Sequence, residues 1–185
     1  MEDKGVLYIA MGERYFEEAK VSANSLKEHN PELQTCLITD EEREADCFDQ
    51  VKVREAKEGS DKVYYIRESP FERTLYLDSD TYIGDDITEI FDILDRFDVA
   101  ATETRFPREE MYQQDRVVDA VPKWYPFFQG GIILFKQSQK TQEMLDKWLE
   151  DYDEIIGEVD EFPYDMPTLR KAIFESDVRF SPLPK

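Results

Sequence analysis

Apolar positions along this chain follow two alternating rhythms. Short β-rich runs at Val6-Leu7-Tyr8-Ile9-Ala10 and Thr35-Cys36-Leu37-Ile38-Thr39 predict buried strands, and Gln50-Val51-Lys52-Val53 predicts a shorter third. Between the first two, Phe16, Ala19, Ala23 and Leu26 recur at spacings of three and four. That period predicts a helix from Glu13 to His29, stopped by Asn30-Pro31. Thr74-Leu75-Tyr76-Leu77 reads as the next strand and runs directly into Asp78-Ser79-Asp80.

The rhythm continues. Asp85 or Asp86 can cap a helix carrying Ile87, Ile90, Phe91 and Leu94, and Asp98 to Thr102 is strand-like. Glu103 to Phe127 has no clean period and holds Pro107, Pro122 and Pro126, which predicts a long functional loop with short helical pieces. A glycine pair, Gly130-Gly131, then enters a strand ending at Phe135. Ser138 caps a helix bearing Met144, Leu145, Trp148 and Leu149, and Pro167 to Phe174 predicts the last helix. Strands alternating with helices predict an α/β fold, a mainly parallel sheet flanked by helices. Ligands of such sheets bind beyond the carboxyl ends of the strands. Ala10, Asp40 and Asp78 all stand at such ends.

With 185 residues the natural expectation is one domain spanning 1–185. No apolar stretch approaches the roughly 18 residues of a membrane span, and Met1-Glu2-Asp3-Lys4 lacks a signal-peptide layout, so a cytoplasmic protein is expected. Charge narrows the partners. A net charge of −20 repels nucleic acid and anionic membranes, whose affinity for proteins comes chiefly from Lys and Arg. Cys36 and Cys47 form neither a C-x-x-C pair nor a Cys/His cluster, and His29 is the only histidine, so a His-based zinc site and a Ser-His-Asp triad are excluded within the chain. The acidic runs Glu41 to Asp49 and Glu150 to Asp165 read mainly as solvated faces or loops.

Asp78-Ser79-Asp80 is the sharpest chemical feature. In extended chain, residues i and i+2 share a face, so both carboxylates could reach one hard divalent ion such as Mg or Mn. A solvated acidic turn is the competing reading. A calcium loop fails on spelling, because Tyr82 and Ile83 occupy the positions that need an oxygen ligand and a glycine. A haloacid-dehalogenase-type phosphatase, which also places D-x-D after an apolar strand, is an outside alternative.

The run Ser69 to Tyr82, followed by Asp86-Ile87-Thr88-Glu89-Ile90-Phe91, resembles the metal-binding segment of GT-A fold glycosyltransferases, in particular family 8-type retaining enzymes and nucleotide-diphospho-sugar transferases. Three more blocks fall in the same order: Ala10 to Tyr15 before a helix, Phe128-Gln129-Gly130-Gly131 to Lys136, and Asp165-Met166-Pro167 before a helix. The resemblance implies that Asp78 and Asp80 hold Mn2+ or Mg2+ on the diphosphate of a donor. It gives donor contacts to Ala10, Gly12, Tyr15, Lys62 and Ser79, with the Tyr15 ring against the base and Lys62 directed at the anion. Gln129, Gly130, Gly131 and Asp165 fall to the sugar and acceptor, with Asp165 and Gln129 nearest the chemistry. Tyr15 as a packing residue, Lys62 as a solvated lysine and Asp165 as a helix N-cap are the plainer readings beside these.

Two departures from the family pattern are visible. Gln129 stands where Asn is usual, and Met166 replaces an amide. The C-terminal histidine that completes the metal site in similar enzymes has no counterpart, since His29 belongs to the first helix. The chain is thus expected to lack the family's C-terminal segment, to carry a minimal site, or to bind donor without turnover. The implied function is transfer of a hexose from a nucleotide diphosphate sugar, UDP-linked, to a saccharide, lipid or protein hydroxyl with retention. An inverting enzyme would need a carboxylate base, for which Asp165 and Glu161 are candidates. A non-catalytic nucleotide-sugar or carbohydrate-binding protein of the same fold is the alternative.

Overall fold

A computed structural model describes residues 2–104, 115–156 and 164–184. Seven strands form one sheet in the order β3-β2-β1-β4-β6-β5-β7. They are β1 (Glu2–Ile9), β2 (Gln34–Thr39), β3 (Gln50–Val53), β4 (Phe71–Leu77), β5 (Val99–Thr104), β6 (Phe127–Lys136) and β7 (Phe180–Leu183). Pairing is parallel from β3 through β4 and again between β5 and β7. Only β6 runs against both neighbours. The expected mainly parallel α/β sheet is therefore present.

Alternation along the strands divides the core between the two faces of the sheet. Val6, Tyr8, Leu37, Leu75 and Leu134 pack with Phe16, Ala19, Ala23 and Leu26 of α1 (Glu13–His29) and with Phe91 and Leu94 of a 3-10 helix at Thr88–Asp95. Leu7, Ile9, Ile38, Tyr76 and Ile133 pack on the other face. Their partners come from α2 (Asp61–Tyr65), α4 (Gln139–Ile156) and α5 (Asp165–Glu175). Each fully buried Leu or Phe contributes about 2 kcal/mol of transfer free energy, so this two-sided core carries the fold.

The helix of α1 and the strand β3 have the predicted bounds. Two expectations need correction, and one strand is new. The segment carrying Ile87 to Leu94 is a 3-10 helix, in which Asp86 Oδ1 accepts hydrogen bonds from the Thr88 amide and hydroxyl at 2.8 and 2.7 Å. The glycine pair does not enter β6 but lies inside it. The pair falls where the β5–β6 register shifts between Ala101 and Glu103 and beyond the last β4 pair, Leu77 with Ile132, an irregularity of the kind that glycine marks. Ser181-Pro182-Leu183 forms strand β7 at the sheet edge, where a proline is permitted.

Of the long segment between β5 and β6, residues 105–114 lie outside the described residues, and a short helix α3 (Asp115–Val118) follows. Arg170, buried in α5, donates to the carbonyls of Val118, Pro122 and Tyr125 and fastens this stretch to the sheet. Ser138 caps α4 by accepting the Thr141 amide at 3.2 Å, as predicted. Cys36 and Cys47 are buried, and no disulfide joins them. No helix among the described residues is long and apolar enough to cross a membrane.

Candidate active site

The carboxyl ends of β1 and β4 meet the middle of β6 at one edge of the sheet. The β4–β6 register sets Leu77 opposite Ile132, and the Asp78 amide then donates to the Gly131 carbonyl at 2.9 Å. There the chain turns. The Thr81 amide and hydroxyl both donate to the Asp78 carbonyl, at 3.3 and 2.9 Å. Asp78-Ser79-Asp80 is therefore a turn and not the extended segment assumed from sequence, because Thr81 offers the backbone a local partner in place of a ladder. Both carboxylates nevertheless line the same cleft.

Asp78 is held from three sides. The Tyr76 hydroxyl, two residues back on the same strand face, donates to Oδ1 at 2.7 Å. Burial and the neighbouring carboxylate push the Tyr76 hydroxyl well above its usual 10.0, so it remains a donor. Lys62 of α2 places its ammonium 2.8 and 3.0 Å from the two Asp78 oxygens, 3.2 Å from Asp165 Oδ2 and 3.3 Å from the Gly130 carbonyl. Burial opposes the charged ammonium, yet Asp165 and Asp78 outweigh it and hold Lys62 above its ordinary range. Lys62 is thus a buried ion-pair partner and not a solvated lysine.

Asp165 is the first residue of α5, and the N-cap position is held by Tyr164, which makes no side-chain cap hydrogen bond. The Asp165 carboxylate accepts from Lys62 and from the Ser60 hydroxyl at 3.2 Å, while its carbonyl accepts the Trp148 indole N–H. The plain N-cap reading does not describe it. A Cβ on Gly130 would lie 3.0 Å from Asp165 Oδ2, and one on Gly131 would lie 2.7 Å from Asp78 Oδ2. Sequence reasoning gave the glycine pair to an approaching sugar. In the structure the same missing side chains let two carboxylates reach one ammonium.

Around this knot the cleft has two lobes that share Lys62, Asp78 and Asp80. One, about 580 Å³, runs beside Ile9, Met11, Tyr15, Glu18, Ser60 and Asp61. The other, about 460 Å³, is bounded by Thr81, Gln129, Gly130, Gly131, Asp165 and Met166. Tyr15 is half exposed on the first lobe, with the Arg14 guanidinium 5.6 Å from its ring. Ser79 lines that lobe and donates to Glu18 at 3.2 Å. Gln129 is exposed on the second lobe, and its amide donates to Thr104 at 3.4 Å.

Two of the residues taken from the resemblance line neither lobe. Ala10 is buried in the core, and Gly12, at φ +85°, precedes α1 and donates its amide to Asp40 Oδ1 at 3.0 Å. Asp40 is occupied there and stands apart from the cleft. Glu161 lies outside the described residues.

Several contributors escaped the sequence. Tyr76 had a legible signal, since it shares the strand face of Asp78. Ser60 and Asp61 had none. On α1, the buried Ser22, Ser25 and Asn30 interrupt the apolar stripe and fasten the segment after the turn. Ser22 Oγ lies 2.7 Å from Thr81 Oγ1, Ser25 Oγ accepts the Ile83 amide at 2.9 Å, and Asn30 Oδ1 accepts the Ile87 amide at 2.8 Å.

The donor set suits a hard cation. Asp80 is exposed and makes no hydrogen bond or ion pair with a described residue, and Asp78 Oδ2, in contact with Lys62 alone, keeps a lone pair. No group of three His, Cys, Asp or Glu side chains placed to hold a metal exists among the described residues. Mg or Mn bound by two carboxylates and completed by water and phosphate oxygens fits such a site.

No protein-family model and no curated protein matches the chain. Solved structures do. GlyE of Streptococcus pneumoniae TIGR4, a glycosyltransferase, superposes at TM-score 0.66 and 20% identity, over 99% of this chain and 45% of that one. The fold is the GT-A glycosyltransferase fold. The galactosyltransferase LgtC, solved with donor and acceptor sugar analogues, superposes at 0.65 and 15% identity over 92% of this chain and 70% of its own. For the bifunctional glycosyltransferase WbbM the values are 0.64 and 17%, over 99% and 39%. The chain spans less than half the length of GlyE and WbbM.

Proposed function

We propose that the chain is a metal-dependent glycosyltransferase that moves a hexose from a nucleotide diphosphate sugar, UDP-linked, to an acceptor hydroxyl in the cytoplasm. One observation carries the reading. Where the two lobes meet, a single ammonium faces three carboxylates, two of them bound to it and one, Asp80, free. A diphosphate entering this waist unaccompanied would meet surplus negative charge, with like charges 4 Å apart repelling by about 4 kcal/mol at an effective dielectric near 20.

Mn2+ or Mg2+ held by Asp78 and Asp80 would supply the compensating charge and stabilise the departing nucleoside diphosphate as the glycosidic bond breaks. The chain's own residues do the rest. Tyr15 offers its ring to the base at the open end of the first lobe. Lys62 faces the waist, where the diphosphate would lie. Gln129 and Asp165, with the backbone at Gly130 and Gly131, face the second lobe and can hydrogen-bond sugar hydroxyls.

The engagement of Asp165 favours retention. A carboxylate that already accepts from Lys62 and Ser60 is a poor general base, whereas a retaining enzyme can pass the acceptor's proton to the leaving diphosphate on the same face. The test is UDP-sugar turnover. UDP release with Mn, abolished by chelator, is expected. The second reading is a binder of nucleotide sugars, favoured by the same engagement of Asp165, which leaves the carboxylate beside the sugar lobe already bound to Lys62 and Ser60. Mn-dependent UDP binding without release from any of a panel of UDP-hexoses would establish it.

A further inference from the structure

Asp61 is a carboxylate that the metal site does not use. It opens α2 one residue before Lys62 and lines the first lobe. Its Oδ1 accepts the Lys57 amide at 2.8 Å, which fixes the side chain against its own loop. No ion pair within 4 Å joins it to a cation of the described residues, and its other hydrogen-bond partner is its own backbone amide. Burial, and after it the charge of Asp40, push the carboxyl above its ordinary range, outweighing the two backbone amides that donate to it and the more distant charge of Lys57.

A carboxylate in that position cannot greet phosphate. It can only accept hydrogen bonds, so its partner must be a neutral or cationic donor. The contents of the lobe fix which donor. Tyr15, Met11 and Ile9 make one part aromatic and apolar, suited to a base, while Lys62, Asp78 and Asp80 make the other end the place of the diphosphate. In a nucleoside diphosphate the group between base and diphosphate is the ribose, which carries a vicinal diol. A carboxylate that accepts from ribose hydroxyls is a recurring mode of nucleotide recognition.

We infer that Asp61 is a specificity-determining residue that accepts hydrogen bonds from the ribose hydroxyls of the donor, so that the first lobe reads a ribonucleotide and rejects its deoxy analogue. The inference rests on the nucleotide-sugar reading of the cleft and adds what that reading leaves open. The Lys57 amide holds the carboxylate in place, so its remaining lone pairs meet the ligand without first being reoriented.

The test is calorimetric titration of the full chain, with Mn, by UDP, 2′-deoxy-UDP and 3′-deoxy-UDP. At least one deoxy analogue is expected to bind about tenfold more weakly than UDP, the loss of one buried hydrogen bond. In Asp61→Ala the ratio of UDP to that analogue should fall close to one. The ratio is taken within each variant, so a loosened Lys57 loop or a lowered stability cancels from it. Equal binding of all three ligands by the parent overturns the inference, as does a tenfold ratio that survives in Asp61→Ala, and either leaves the donor reading standing. No binding of UDP with Mn overturns both.

Discussion

Two partly buried ionic knots in this protein set carboxylates against cations in opposite proportion. At the sheet's far side Asp98, just before β5, accepts Arg179 Nε at 3.1 Å, Nη2 at 2.8 Å and the Arg179 amide at 2.9 Å, and Lys136 at 3.1 Å. Its carboxyl is held well below the ordinary 3.8, first by the Arg179 side chain. One carboxylate there faces two cations, and every contact joins β5 to the strand or loop beside it. At the cleft one cation, Lys62, faces Asp78, Asp165 and the nearby Asp80. The first knot satisfies its carboxylate completely and serves the sheet. The second leaves negative charge at a cavity, the condition for recruiting a cation. What marks a site here is a missing counter-charge, and the number of ion pairs says little.

The contrast can be broken most directly at Lys62. Lys62→Met leaves Asp78 and Asp165 facing each other without their shared cation and should lower stability by about 3 kcal/mol, read as a urea midpoint. Added Mn or Mg should recover part of that loss in the variant and change the parent less. A variant as stable as the parent, or one indifferent to Mn, would mean that the cluster is no cation site. Next in size, Asp80→Asn should keep the midpoint within about 0.5 kcal/mol, since the side chain is exposed and unpaired, yet weaken Mn-dependent UDP binding on the order of a hundredfold. Unchanged binding would reduce the motif to an acidic turn.

The Asp98 knot supplies the opposite control. Asp98→Asn should cost about 2 kcal/mol at neutral pH, with no recovery by Mn and with UDP binding unaltered. Because the folded carboxyl titrates below 3.8, its stabilisation is complete above that pH and is lost as pH falls through the lower folded value. The parent should therefore lose stability in acid more steeply than Asp98→Asn. Parallel acid limbs would show that Arg179 and Lys136 do not hold the carboxylate. The smallest effect is general. With a net charge of −20, NaCl should raise the urea midpoint modestly by screening repulsion, and a flat response would mean that local pairs such as Asp98 outweigh the net charge.

How much of this was legible in the sequence follows from the range of the interactions. The bounds of α1 were readable because a 3.6-residue stripe ends at Asn30-Pro31, and Asp78 was readable because an apolar strand delivers it. Strand β7 was not, since Pro182 argues against a strand unless its place at an edge is known. The turn at Asp78 was missed because Thr81's hydroxyl, two to three residues on, competes with extension only once Ser22 of α1 lies beside it. Lys62 and Asp165 were named from family likeness, whereas their shared contact depends on the absence of side chains at Gly130 and Gly131. That is a steric fact no pattern of hydrophobic positions records.

The reversed direction of β6 bears on when the site comes into being. Lys62 reaches Asp78 across 16 residues of chain and the Gly130 carbonyl across 68, and Ser60 reaches Asp165 across 105. The first lobe's wall needs only the parallel half of the sheet, formed by the N-terminal part of the chain. The second needs β6 to be threaded between β4 and β5 and α5 to dock on it. During synthesis the waist therefore acquires Asp78 first and Asp165 last, and until α5 docks the lysine serves a single carboxylate. A half-made chain carries half a cleft, and the cleft is complete only with closure of the longest loop in the site.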